Sequence, residues 1–192
     1  MSDIASPPGE SIEAAAPRIR MVGPVGMIAI RGDLQSGAMN AAVKSASGLD
    51  IPALRQVSAA GGISLCWMSP DELLLLSSDD AAPALVGQLQ GALAREHALV
   101  VDVSDARVLF ELTGSGVREV LARLCPVDLS PQGLGLGEMR RTRMGQVPAA
   151  FWITGQESIR LICFRSVSGY VHDLLRDAAG SASQAPVFGG PV

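Results

Sequence analysis

The sequence predicts an α+β protein built as two similar subdomains, each with helices laid over an antiparallel sheet. Apolar residues recur with period two in short stretches, as where Val108, Phe110 and Leu112 alternate with Leu109, Glu111 and Thr113, which is strand spacing. Other segments place apolar residues three and four apart, as in Val117, Val120, Leu121 and Leu124, which is helix spacing. The order of these segments then repeats. MIAIRG, a helix, CWMSPDELLLLSS and a helix are followed by LFELTG, a helix, FWITGQESIRLICF and a helix. Gly32 and Gly114 each close a strand before a helix, 82 positions apart, and Trp67 and Trp152 each end a strand before a polar turn, 85 apart. A period this long is not that of a solenoid; it fits two subdomains of similar plan, the alternative being the chance matches that any α+β chain yields.

Taken in order, residues 1–17 are rich in Ser, Pro and Ala and read as a disordered tail. The first subdomain, 18–97, opens with Ile19–Val22, a Gly23-Pro24 turn and a strand over Met27–Ile30. Ser36 caps a helix with Met39, Ala42, Val43 and Ala46 inward, and Gly48 ends it. Pro52–Val57 is a linker or edge strand, and Ile63, Leu65 and Trp67 alternate into a turn at Ser69-Pro70-Asp71. Leu73–Leu76 is continuously apolar, the mark of a strand buried on both faces. Asp79 or Asp80 caps a helix over Ala81–Glu96.

The second subdomain, 98–180, begins with Val101 and Val103 alternating against Asp102 and Ser104, and Asp105-Ala106 turns the chain into the strand of Val108. Gly114 and Gly116 break that strand, and Cys125-Pro126 stops the next helix, because the residue before proline leaves the α region. A glycine-rich loop, Pro131–Gly137, leads to a half-exposed strand over Met139–Met144, where Arg141 and Arg143 alternate. Strands over Pro148–Ile153 and Ile159–Phe164 precede a last helix, Ser166–Ala179, with Val167, Tyr170, Val171, Leu174 and Leu175 inward. Residues 181–192 read as a flexible tail.

Composition excludes several classes. A net charge of −4 argues against a nucleic-acid surface. No apolar run approaches the roughly 20 residues that span a bilayer. The first residues lack the apolar core of a secretory signal. Three cysteines without close spacing propose neither a disulfide framework nor a zinc site, and suit a reducing cytoplasm.

Reactive groups are sparse. Cys66 and Cys163 sit in apolar strands, Cys125 closes a helix, and neither His97 nor His172 has a catalytic context. Asp102 and Asp105 read as strand-face and turn acids rather than a base pair. The Gly133-x-Gly-x-Gly137 loop precedes a strand and not a helix, against a dinucleotide fingerprint, and reads as a mobile or partner-contacting loop. Arg140, Arg141 and Arg143 form a short basic patch that could meet a carboxylate, a phosphate or an acidic face on another subunit, the commonest alternative being a solvated strand face. With Trp67 and Trp152 they are the interface candidates; core packing is an equal reading for both tryptophans.

Four blocks carry a family resemblance: MIAIRGDL; CWMSPDELLLL; VDVSDARVLFELTGSGVREVLARLCPVDL; and MRRTRMGQVPAAFWI with IRLICFRSVSGYVHDLL. In order and spacing, from Met27 to Arg176, they resemble the gamma subunit of heterotetrameric sarcosine oxidase, the third block most specifically. The resemblance implies two ferredoxin-like-type α+β subdomains, a shortened form of the folate-binding fold of glycine-cleavage aminomethyltransferases. It implies a non-catalytic subunit that packs on alpha, beta and delta partners. The partners would carry FAD, FMN, NAD and tetrahydrofolate, and would demethylate sarcosine to glycine, hydrogen peroxide and a one-carbon unit. The alternative from a different class is a stand-alone folate-binding or aminomethyltransferase-like protein.

Overall fold

The structure, a computed structural model, describes residues 17–182. The expected tails, 1–17 and 181–192, lie outside the described residues except at their inner ends. In chain order the elements are β1 (Arg18–Val22), β2 (Val25–Arg31), α1 (Gly37–Ser47), β3 (Val57–Ala60), β4 (Ile63–Ser69), β5 (Glu72–Ser78), α2 (Ala82–Ala92), β6 (Leu99–Asp102), β7 (Arg107–Thr113), α3 (Val117–Leu124), β8 (Met139–Met144), β9 (Val147–Gly155), β10 (Ser158–Phe164) and α4 (Ser168–Ala182).

The strands form two antiparallel sheets, ordered β1-β7-β10-β9-β8 and β6-β2-β5-β4-β3, so the two halves share one topology. The boundary expected at 97/98 does not separate the sheets. β1 precedes β2 in the chain but pairs with β7, and β6 precedes β7 but pairs with β2. Each half thus contributes its leading strand to the edge of the other half's sheet.

Four layers result. Met39 and Val43 of α1 and Leu89 of α2 pack on Ile28, Ile30, Leu65, Leu73 and Leu75. Val120 and Leu121 of α3 and Val171 and Leu175 of α4 pack on Phe110, Leu112, Phe151, Ile159 and Leu161. Between the sheets, Met27, Cys66, Leu74 and Leu76 meet Leu109, Met139, Ala150, Trp152 and Ile162. Each sheet is therefore covered on both faces, which is why Leu73–Leu76 is apolar without alternation and fully buried.

Local signals act as their chemistry requires. The Ser36 hydroxyl accepts from the Met39 N–H at 3.1 Å, and Gly48 ends α1 in the left-handed conformation at φ 72°. Other expectations are corrected. Asp79 and Asp80 provide no side-chain cap; they start a 3-10 turn before α2, which stops at Ala92 rather than Glu96. Of the two readings for Pro52–Val57, the linker fits Pro52 to Gln56, and edge strand β3 begins at Val57. In β6 the buried residue is Val100, and Val101 is exposed, because pairing with Ile30 turns Val100 toward the helices. Tyr170 is exposed, not inward.

Candidate functional site

The first sheet ends at β3 and the second at β8, and these two edges meet. Gln56 bridges Glu138, the Val57 N–H donates to the Gly137 carbonyl at 2.8 Å, and the Met139 N–H donates to the Arg55 carbonyl at 2.9 Å. The last bond depends on Arg55, which adopts φ 59°, a left-handed conformation no other described non-glycine residue takes. Such a residue costs on the order of 1 kcal/mol, which the surrounding hydrogen bonds offset.

Outside this junction lies a cleft of about 450 Å³, lined by Leu54, Arg55, Trp67, Asp128, Arg140 and Arg141 among others. It draws on both halves of the chain. Its rim is mixed: Leu54 is 65% exposed, Trp67 is half-buried with its other contacts in the helix-side core of the first sheet, and Arg55 is exposed. Asp128 is exposed, and hydrogen bonds from the Ser130 hydroxyl and N–H hold its carboxyl below the usual range.

The structure thus brings together Trp67, Arg140 and Arg141 and excludes two other candidates. Trp152 is 2% exposed between the sheets, so it offers no surface to a partner. Arg143 points its guanidinium at Gln146, 3.3 Å away near the β8–β9 turn, and does not line the cleft.

Arg140 is half-buried, and its guanidinium donates to the Met139 and Gly133 carbonyls at 2.9 and 3.1 Å. It therefore anchors the glycine-rich loop. Arg118 adds bonds to the Leu129 and Leu134 carbonyls at 2.8 and 3.0 Å, and the Glu138 carboxylate accepts from the Gly135 N–H at 2.8 Å. At Gly133 an added Cβ would displace the exposed Asp128 carboxylate from its place beside the loop. This tethering replaces the expectation of a mobile loop, and Leu136 at its tip is 72% exposed.

Sequence reasoning missed the charge centre beside the cleft. Glu72, 2% exposed, accepts from Arg31 at 2.7 Å and from Arg141 at 3.2 Å, with Arg107 at 3.7 Å. Arg31 and Glu72 belong to one sheet and Arg107 and Arg141 to the other, so a single carboxylate ties the sheets together. Its sequence signal is weak: an acid at the mouth of a fully apolar strand.

The other reactive candidates have structural duties. Burial pushes the Cys66 and Cys125 thiols up to about 12 and Cys163 up to about 11, so all three stay protonated at neutral pH. The Asp102 carboxylate accepts from the Ser104 N–H and hydroxyl at 2.9 and 2.5 Å, while the Ser104 oxygen accepts from the Met27 N–H at 2.9 Å. The Asp105 carbonyl accepts from Arg165 at 2.7 Å. His172 stacks on Phe110 at 6.4 Å between ring centres. Among the described residues no group of three His, Cys, Asp or Glu side chains could hold a metal ion, and no helix is long and apolar enough to cross a membrane.

Paired sheets with outer helices, joined at an open cleft, define an α+β protein of the aminomethyltransferase fold. The glycine cleavage system aminomethyltransferase T from Bartonella henselae superposes with a TM-score of 0.60 at 15% identity, over 85% of this chain and 46% of that one. The particular relationship is closer. The profile of the sarcosine oxidase, gamma subunit family matches residues 31–181, and the chain belongs to that family. The sarcosine oxidase subunit gamma of Corynebacterium sp. (strain U-96) is 34% identical over 150 residues, 77% of this chain and 72% of the relative. That of an Arthrobacter species is 33% identical over 134 residues, 70% of this chain and 64% of the relative. In the solved heterotetrameric sarcosine oxidase from Corynebacterium sp. U-96, in complex with pyrrole 2-carboxylate, one chain matches with a TM-score of 0.81 and 31% identity over 91% of each chain.

Proposed function

We propose that this chain is a non-catalytic gamma subunit that packs on the larger subunits of a heterotetrameric sarcosine oxidase through the cleft rimmed by Leu54, Arg55, Trp67 and Arg140. Its partners are alpha, beta and delta subunits in the cytoplasm. They hold FAD, FMN, NAD and tetrahydrofolate and oxidise sarcosine to glycine, hydrogen peroxide and a one-carbon unit. The observation that carries this reading is the match over 91% of both chains to a member of a heterotetrameric complex. The cleft supports it, because a half-buried tryptophan and arginines around one depression are the residue types enriched at interface anchors. Co-expression with the three partner chains tests it. Co-purification of all four is expected, with peroxide formation from sarcosine by the complex and none by this chain alone. Turnover by the isolated chain overturns the reading.

A second reading has two observations in its favour. The fold is shared with an aminomethyltransferase, and the cleft contains a carboxylate, Asp128, of the kind a pterin would need. Titration of the full chain with tetrahydrofolate separates the two. Tight saturable binding by the monomer, lost in Asp128→Asn, selects the folate-binding protein.

A further inference from the structure

A second hollow, of about 50 Å³, opens beside Glu72, lined by Met68, Arg107, Arg141, Pro148 and Phe164 among others. It neighbours the larger cleft, since Met68 and Arg141 line both. Charge decides what it can receive. Three guanidinium groups surround one carboxylate. The remaining neighbouring acid, Asp71, is fully exposed and engaged by the Ser69 hydroxyl.

Glu72 does not saturate these donors. Its Oε2 takes Arg31 at 2.7 Å and Arg141 at 3.2 Å, and its Oε1 lies 3.7 Å from Arg107, beyond hydrogen-bond range. Yet Arg107 is the most buried of the three, at 14% side-chain exposure against 48% for Arg31 and 51% for Arg141. The Phe164 ring lies 5.8 Å from its guanidinium carbon. A cation excess against a low-dielectric wall favours an anion at the open position.

Size and lining narrow the anion. The hollow holds roughly one or two water-sized groups, enough for a carboxylate. The walls of Met68, Pro148 and Phe164 suit a methylene stem. Phe164 is 46% exposed at the mouth, and the hollow adjoins the cleft that the subunit reading places against a partner.

We propose that this hollow receives the carboxylate of a glutamate or aspartate side chain from a larger subunit, paired with Arg107 and Arg141. The assignment rests on the subunit reading above and adds a specific lock to it.

The test uses the complete complex, with Arg141→Gln or Arg107→Gln in this chain, and follows release of the chain at low and high sodium chloride. Each variant is expected to weaken association at low salt by about ten- to a hundredfold and to flatten its salt dependence. Arg143→Gln, on the same strand but outside the hollow, is expected to behave as wild type. Should Arg107→Gln not fold, the half-exposed Arg141→Gln still decides the matter. Wild-type affinity and salt slope in Arg141→Gln, while the unaltered chain co-purifies with its partners, overturns the carboxylate lock and leaves the subunit reading standing. Failure of the unaltered chain to co-purify overturns the subunit reading itself, and the lock with it. Sodium acetate that stabilises the free chain saturably, with the effect lost in Arg141→Gln and assembly unchanged, assigns the hollow to a free carboxylate and overturns the lock.

Discussion

Glu72 and Glu111 each stand among arginines, and each extends from the sheet face that looks toward the other sheet. Glu72 is held by Arg31 of its own sheet and by Arg107 and Arg141 of the facing sheet, and its side chain is 3% exposed. Glu111, four positions beyond Arg107 on β7, lies directly between Arg20 and Arg160 on the neighbouring strands. Both of its partners belong to its own sheet, at 2.7 and 3.5 Å, and it is 23% exposed. The first carboxylate cross-links two layers out of water; the second decorates one layer in contact with water. Desolvation makes the first costly to disturb, and solvent screening makes the second nearly dispensable. The duplicated plan sharpens the point: in the second half Ser158 and Thr113 pair where the first half has Glu72 and Arg31, so that position of the second half carries no such cross-link.

The largest expected effect comes from the apolar layer between the two sheets. Trp152→Ala removes the largest side chain between the sheets and is expected to cost about 4 kcal/mol in urea unfolding. Cys66 reports on the same layer, because its thiol is fully buried there. Its labelling by a thiol reagent at pH 8 is expected to need the sheets to separate and to speed up about a thousandfold in Trp152→Ala. Equal labelling rates in the two proteins would show that the layer opens locally near Cys66 without global unfolding.

Next comes the cross-link itself. Glu72→Gln leaves Arg107 without its carboxylate and is expected to destabilise the chain by about 3 kcal/mol. Ser158→Ala, at the corresponding position of the second half, is expected to change stability by less than about 0.5 kcal/mol. A Glu72→Gln effect as small as that of Ser158→Ala would erase the contrast between buried and exposed centres. At the cleft, Trp67→Ala is expected to cost less stability than Trp152→Ala, since Trp67 is only half-buried, but to weaken co-purification with the partner subunits.

The contrast between the tryptophans also shows what sequence patterns convey. They look equivalent in the chain, yet strand register makes Trp67 the counterpart of Ile153: Trp67 pairs with Leu73 and Ile153 with Ile159, each second in its strand. Trp152 instead corresponds to Cys66. A one-residue offset moves a strand side chain to the opposite face, so one tryptophan reaches the cleft and the other the inner layer. The Leu73–Leu76 run and the caps of α1 were legible because they are local, and Ser36 and Gly48 behave as read, whereas Asp79 and Asp80 start a 3-10 turn instead of capping α2. The exchange of β1 and β6 was not legible, because local pattern does not name a strand's partner. Nor was the Glu72 centre, whose arginines lie on three other strands distant in sequence. In the basic run, spacing alone could not show that Arg140 fastens a loop, Arg141 meets a buried acid and Arg143 does neither.

The smallest expected effect belongs to Glu111. Hydrogen bonding from Arg20, with the Arg160 charge adding to it, lowers its carboxyl below the ordinary 4.5 against a partial desolvation penalty. A depressed carboxyl stabilises the folded chain above the unfolded value and ceases to do so as pH falls through the folded one. Glu111→Gln is therefore expected to cost about 0.5 kcal/mol at neutral pH, as exposed pairs do. The difference from wild type is expected to close as the pH drops below about 4.5, and to shrink in high salt at neutral pH. Unfolding curves of both proteins across that range measure it. A gap that persists well into acid and ignores salt would mean that Glu111 acts as a buried cross-link after all, and that the two centres differ in location rather than in kind.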